Sequence, residues 1–220
     1  MAEDVLGHVS ARVDHDRMLV RCRGPQERGL LFTTASDVRL VDLGGRGDLD
    51  GGYAVPNELP IHAEIFRARP EARAVVHVHP PAVLIADLAE IPLRPVFGAY
   101  NIPALRMALA GVPVYPRAVL IRSRGLGEEM VRAMGNSPVC VLRGHGITAW
   151  GDSVEQAVVR ALNLAVLARV HVELAKLGAE PPCLPAEDLD ELPDLGPSFN
   201  DDAVWRYHVA RLESDGHGIG

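Results

Sequence analysis

The sequence predicts an α/β fold: a three-layer α/β/α sandwich on a mixed, largely antiparallel sheet. Three observations carry this. Short apolar, β-branched runs recur through the first two thirds of the chain. Helical stretches fall between them without strict β-α-β alternation, which argues against an all-parallel sheet. A long helix with a broad apolar stripe follows Asp152, wide enough to cover a sheet face.

Val9 to Val13 and Met18 to Arg21 predict a hairpin around Asp14-His15-Asp16. Val38 to Asp42 predicts another strand, followed by a glycine-rich turn from Gly44 to Gly52. The period then lengthens: Leu59, Ile61, Ala63, Ile65 and Phe66 lie in a helical stretch that stops at Pro70. A strand from Arg73 to His79 follows at once. Pro80-Pro81 can open a helix over Ala82 to Leu88, since proline is tolerated in a first turn. Leu93 to Phe97 and Val112 to Val114 read as strands, Gly127 to Met134 as a helix, and Pro138 to Leu142 as a buried strand. Asp152 or Ser153 caps the long helix, whose stripe runs from Val154 through Ala161 and Ala168 to Val172, and Gly178 stops it. Pro181 to Pro197 is a proline-rich acidic linker, Asp201 to Leu212 an amphipathic helix with Trp205 and Tyr207, and Gly216 to Gly220 a frayed tail. Residues 1–220 thus read as one domain with a C-terminal linker and helix at 181–213.

The 220 residues are 48% hydrophobic and carry a net charge of −7. No basic stripe suits nucleic acid, and no apolar run approaches the roughly 20 residues of a membrane span. The acidic start Met1-Ala2-Glu3-Asp4 lacks a signal-peptide core. Cys22, Cys140 and Cys183 form no paired motif and read as free thiols of a cytoplasmic protein.

The chemistry concentrates in the histidines. His77 and His79 lie two apart on a strand, so they share a face about 7 Å apart and can share one metal ion. His145 follows a second apolar run within Arg143-Gly144-His145-Gly146. Three histidines from two strands, with a carboxylate nearby, describe an open catalytic metal site better than a closed structural one. His62, on the preceding helix, reads as a histidine packing on the sheet.

These segments resemble the class II (metal-dependent) aldolase and adducin superfamily. Gly7-His8-Val9-Ser10-Ala11-Arg12 is similar to its Gly-Asn-x-Ser-x-Arg loop. Pro56-Asn57-Glu58-Leu59-Pro60-Ile61-His62 is similar to its Ser-Ser-Glu-x-x-x-His segment. Arg69 to His79 resembles its Arg-Pro-Asp-x-x-Ala-Val-Val-His-x-His run, and Arg143-Gly144-His145-Gly146 comes last. The resemblance implies that His77, His79 and His145 bind one divalent ion, zinc first, with manganese, iron or cobalt also suited to the set. It implies Glu58 as the acid/base residue.

The departures bear on the substrate. His8 replaces the asparagine of the first loop, Thr33-Thr34-Ala35-Ser36 replaces the Thr-x-x-Gly turn, and Pro56 and Asn57 replace two serines. Proline brings neither N–H nor hydroxyl to a phosphate cradle. Gly7-His8-Val9-Ser10, Arg143-Gly144-His145-Gly146 and Leu93-Arg94-Pro95-Val96-Phe97 resemble instead the branch that decarboxylates hydroxylated aromatic acids. The expected activity is metal-dependent loss of CO₂ from a dihydroxyphthalate-like acid, the metal stabilising the enolate or phenolate. Glu58 is the expected acid and His8 a second. Arg12, Arg21 and Arg23 are candidate carboxylate clamps, with Asn57 and Tyr207 also facing substrate. Tyr207 and Trp205 would lid a neighbour's site in a homotetramer whose sites lie near subunit interfaces. The alternatives are a sugar-phosphate aldolase or epimerase on the same site and, further off, a non-catalytic adducin-like module.

Overall fold

The computed structural model describes residues 6–182 and 184–217; Cys183, the acidic start and the last three residues lie outside them. Seven strands form one sheet in the order β3-β2-β1-β4-β7-β6-β5. β1 (His8–Arg12), β2 (Arg17–Arg21) and β3 (Val38–Asp42) form a meander on one side. β4 (Ala74–Val78) is central, between β1 and β7 (Gly146–Gly151). β6 (Val139–Leu142) and β5 (Val114–Tyr115) complete the sheet. Every pairing is antiparallel except β5 with β6, so the sheet is mixed and largely antiparallel.

Two apolar clusters, one on each face, make the three layers. β4 divides them by its period of two: Val75 belongs to one cluster, and Ala74, Val76 and Val78 to the other. The Val75 face is covered by α1 (Leu59–Ala68) and α4 (Arg124–Met134), which bury Ile61, Ile65, Phe66, Met130 and Met134. The other face takes α2 (Pro81–Leu88), α3 (Ile102–Ala108) and α5 (Val154–Lys176), with Val83, Leu105, Leu164 and Leu167 inside. Burying each such side chain contributes roughly 1.5–3 kcal/mol.

β1 and α1 share a face, and their rises match. Ser10 to Arg12 advances about 6.6 Å along the strand, and His62 to Phe66 about 6 Å along the helix. His8 and Ser10 therefore meet His62, while Arg12 meets Phe66 one turn on.

The predicted strand Leu93 to Phe97 is absent. Pro92 and Pro95 lack N–H groups, and the Arg94 amide and carbonyl instead meet His171 Nε2 at 3.0 and 2.9 Å. Three elements escape the local pattern. β7 is built from Gly146, Thr148 and Gly151 among its apolar residues. α3 is capped by the Asn101 side chain, which accepts from the Ala104 amide at 3.0 Å. The short α6 (Ala186–Asp190) interrupts the linker. The last helix begins with a π-helical turn, Ser198–Ala203, and continues as α7 (Val204–Ser214).

Candidate metal centre

Glu58 is the N-cap residue of α1, but its side chain makes no capping bond. It turns inward instead. Oε1 accepts the Ile121 amide at 3.0 Å, and Oε2 lies 3.3 Å from His77 Nε2 and 3.4 Å from His145 Nε2. His79 Nε2 is 2.9 Å from His77 Nε2. One ligand atom from each of Glu58, His77, His79 and His145 lies within 4.8 Å of all the others.

The donors are aimed as well as gathered. His77 Nδ1 donates to the Ile147 carbonyl at 2.9 Å. A carbonyl only accepts, so the proton sits on Nδ1 and the Nε2 lone pair faces the cluster. Three imidazole nitrogens and one carboxylate converging on a point suit a divalent ion of the zinc, manganese, iron or cobalt type. Burial, then neighbouring His77 and His145, pushes the His79 imidazole down to about 4, so it is neutral and ligand-ready at neutral pH. Burial raises the Glu58 carboxyl, but the adjoining imidazoles of His145 and His77 outweigh it and hold the group below the usual carboxylate range.

The turn holding His145 is tied to the rest of the site. Asp87 on α2 accepts the Gly144 amide at 2.7 Å and pairs with Arg143 at 3.1 Å. Gly144 has φ +61°, a conformation that favours glycine. Gly146 lets β7 pass close to His79; a Cβ there would fall 2.5 Å from His79 Cδ2.

His8 is the strand partner of His77, and their ring centroids are 5.0 Å apart. Its Nδ1 lies 2.6 Å from His62 Nε2, and His62 Nδ1 lies 2.6 Å from Ser10 Oγ. His62 is fully buried, and that burial lowers its pKa to about 3. The packing histidine of the sequence reading is thus the centre of a hydrogen-bonded chain. The helical spacing from Glu58 to His62, one turn, was the signal that could have found it.

The structure separates the candidate arginines. Arg12 is a correction: it sits at the far end of β1 from His8, about 13 Å along the strand. Its guanidinium is spent on the Ala72, Phe66 and Arg69 carbonyls, so it locks the exit of α1. Arg21 and Arg23 lie at the His8 end of the sheet, because β2 runs antiparallel to β1. Arg21 is held by Glu27 and Thr33; Arg23 pairs its backbone with Ala54. Asn57 is exposed beside Glu58. Tyr207 is 59% exposed on α7, away from the metal cluster of its own chain. It lines a groove of about 920 Å³ between α3, α5 and the last helix, which reaches Pro80 and Pro81 just past His79.

Sheet order, the two helical layers and this cluster define a class II aldolase-type metal centre. The chain matches the class II aldolase and adducin N-terminal domain over residues 1–172 and belongs to that family, which is metal-dependent. It is 57% identical over 216 residues to a 3,4-dihydroxyphthalate decarboxylase of Terrabacter sp. (strain DBF63), covering 96% of this chain and 90% of that one. It is 53% identical to a protein of the same name from Arthrobacter keyseri, covering 97% and 88%. An L-fuculose phosphate aldolase of Escherichia coli (strain K12) is 27% identical, covering 83% and 80%. Among solved structures, an aldolase II superfamily protein from Pseudomonas syringae superposes with a TM-score of 0.78 at 22% identity, over 99% of this chain and 87% of that one. That likeness is one of fold.

Proposed function

We propose that the protein is a metal-dependent decarboxylase of a hydroxylated aromatic dicarboxylate of the 3,4-dihydroxyphthalate type. The observation that carries this is the 57% identity, over 96% of the chain, to a 3,4-dihydroxyphthalate decarboxylase in a chain whose Glu58, His77, His79 and His145 converge on one point.

His77, His79 and His145 would hold the ion, zinc first among the candidates. When bound, it supplies Lewis-acid stabilisation of the oxygen that gains charge as the C–C bond breaks. Glu58, held as a carboxylate, takes the proton of the ring hydroxyl and delivers it to the carbon that loses its carboxylate. The C–C electron pair stays with the ring, CO₂ departs, and the phenolate recovers a proton from solvent. For 3,4-dihydroxyphthalate the carboxylate beside the 3-hydroxyl leaves, which yields 3,4-dihydroxybenzoate. Arg23 and Asn57, at the site end of the sheet, would meet the retained carboxylate, whereas Arg21 is already paired with Glu27 and Thr33. Arg12, with its donors committed to carbonyls, is not proposed for that role.

A sugar phosphate fits this chain poorly. The Thr34 amide and hydroxyl both donate to Asp37, and Thr33 Oγ1 accepts from Arg21. The turn that could cradle an anion is filled by a carboxylate, which repels one.

The same reading takes residues 1–220 as one catalytic domain in a cytoplasmic homotetramer, with Tyr207 of each last helix over a neighbour's site. Cys22 and Cys140 are free and buried, and among the described residues no helix is long and apolar enough to cross a membrane. The test is to supply zinc- or manganese-loaded protein with 3,4-dihydroxyphthalate, other ortho-hydroxybenzoates and fuculose or ribulose phosphates, following CO₂ and aldehyde. CO₂ from the dihydroxyphthalate is expected. Aldehyde from a sugar phosphate, with no CO₂ from any aromatic acid, overturns the reading.

A further inference from the structure

The chain Ser10–His62–His8 has a direction that donor counting decides. We infer that Ser10 and His62 are positioning residues that fix His8 as an Nε2–H hydrogen-bond donor to an anionic oxygen of the substrate. The assignment rests on the decarboxylase reading for the identity of that oxygen.

Ser10 is 1% exposed. Among the described residues its Oγ meets only His62 Nδ1, at 2.6 Å. A buried hydroxyl proton without an acceptor costs about 1–3 kcal/mol, so the Ser10 hydroxyl donates and His62 Nδ1 accepts. A neutral imidazole has one N–H. That of His62 is then on Nε2, where it donates to His8 Nδ1 at 2.6 Å. His8 Nδ1 is thereby an acceptor, and the single proton of its neutral ring must lie on Nε2. The opposite direction would strand the buried Ser10 proton.

The fixed tautomer decides what His8 can do. Protonated His8 would put an N–H on Nδ1, facing the N–H of His62 at 2.6 Å. In its neutral form His8 is therefore a dipole whose single N–H lies on Nε2, opposite the side held by His62. Such a donor, fixed in direction before substrate arrives, stabilises charge that develops on a carboxylate or phenolate oxygen. Its place beside His77 on the neighbouring strand sets it at the edge of the metal centre.

The test combines spectroscopy with kinetics on zinc-loaded, full-length protein. Nitrogen-15 spectra of the imidazoles, with His8 assigned by loss of its signals in His8→Asn, should show the proton on Nε2. In Ser10→Ala the His8 signal should move towards a mixture of tautomers. With 3,4-dihydroxyphthalate, His62→Leu should lower kcat by about 10–100-fold, the range seen when a group orienting a functional histidine is removed, with KM and zinc content near wild type. His62→Gln should recover most of that loss, because its amide N–H can take over donation to His8 Nδ1. A wild-type His8 protonated on Nδ1, or wild-type kcat in both Ser10→Ala and His62→Leu, overturns the inference. Should His62→Leu fail to fold, the spectra and Ser10→Ala decide. Absence of CO₂ release by wild-type protein would sink the decarboxylase reading, while the spectra still judge the hydrogen-bond chain.

Discussion

The Gly144 amide donates a 2.7 Å hydrogen bond to the Asp87 carboxylate. It joins the turn of one proposed metal ligand, His145, to the helix that follows the other two, His77 and His79. Asp87 is 5% exposed at its side chain, although the Gly144 end of the bond faces solvent. Asp87→Asn should weaken metal binding by about 10–100-fold, the cost typical of losing a group that orients a ligand. Competition against a chelator measures it, and unchanged affinity would show that the His145 turn holds itself.

Gly146→Ala acts on the same geometry from the other side. The added Cβ would stand 2.5 Å from His79 Cδ2 and 2.5 Å from the Val78 carbonyl oxygen. β7 or the His79 ring must move. Metal content after dialysis should drop well below one per chain, while far-ultraviolet circular dichroism stays close to wild type. Full occupancy in this variant would mean that the crowding relaxes elsewhere.

His79→Ala removes one of three nitrogen donors. Metal content and turnover should fall together, and adding excess metal should restore part of both. A metal-replete, fully active variant would falsify the assignment of the centre.

Glu58→Gln keeps the acceptor of the Ile121 amide but cannot carry a proton. The three histidines should retain the metal, and kcat should fall by about 10² to 10⁴, the range for loss of a placed acid or base. Metal loss that accounts for the whole rate defect would make Glu58 only a ligand.

His62 predicts an acid sensitivity. Burial holds its folded pKa at about 3, against 6.5 for the free side chain. The folded value is depressed, so the unfolded chain binds the proton first. The contribution is fully present above about pH 6.5 and is lost as pH falls towards 3, on the order of several kcal/mol. Urea midpoints of metal-free protein should drop more steeply over that range for wild type than for His62→Gln. Equal slopes would place the sensitivity in other groups.

Much of this protein is legible in its sequence because the relevant periods are local. Alternation along Ala74 to Val78 announces a buried strand and puts His77 and His79 on one side. The Ser153 cap and the stripe from Val154 to Val172 announce the long helix. The ligand set and the α/β class follow from such patterns together with the motif order. What chain neighbours cannot state is who stands across the sheet. Strand order puts His8 beside His77 and sends Arg12 to the opposite end, although both lie in one five-residue strand. Helix-to-sheet registry turns His62 from a packing residue into the link between Ser10 and His8. β7 has no strong pattern of its own, and is held because β4 and β6 offer hydrogen bonds on both sides. Periodicity determines which face a side chain takes, whereas register, set by pairing between segments more than fifty residues apart, determines what it meets there.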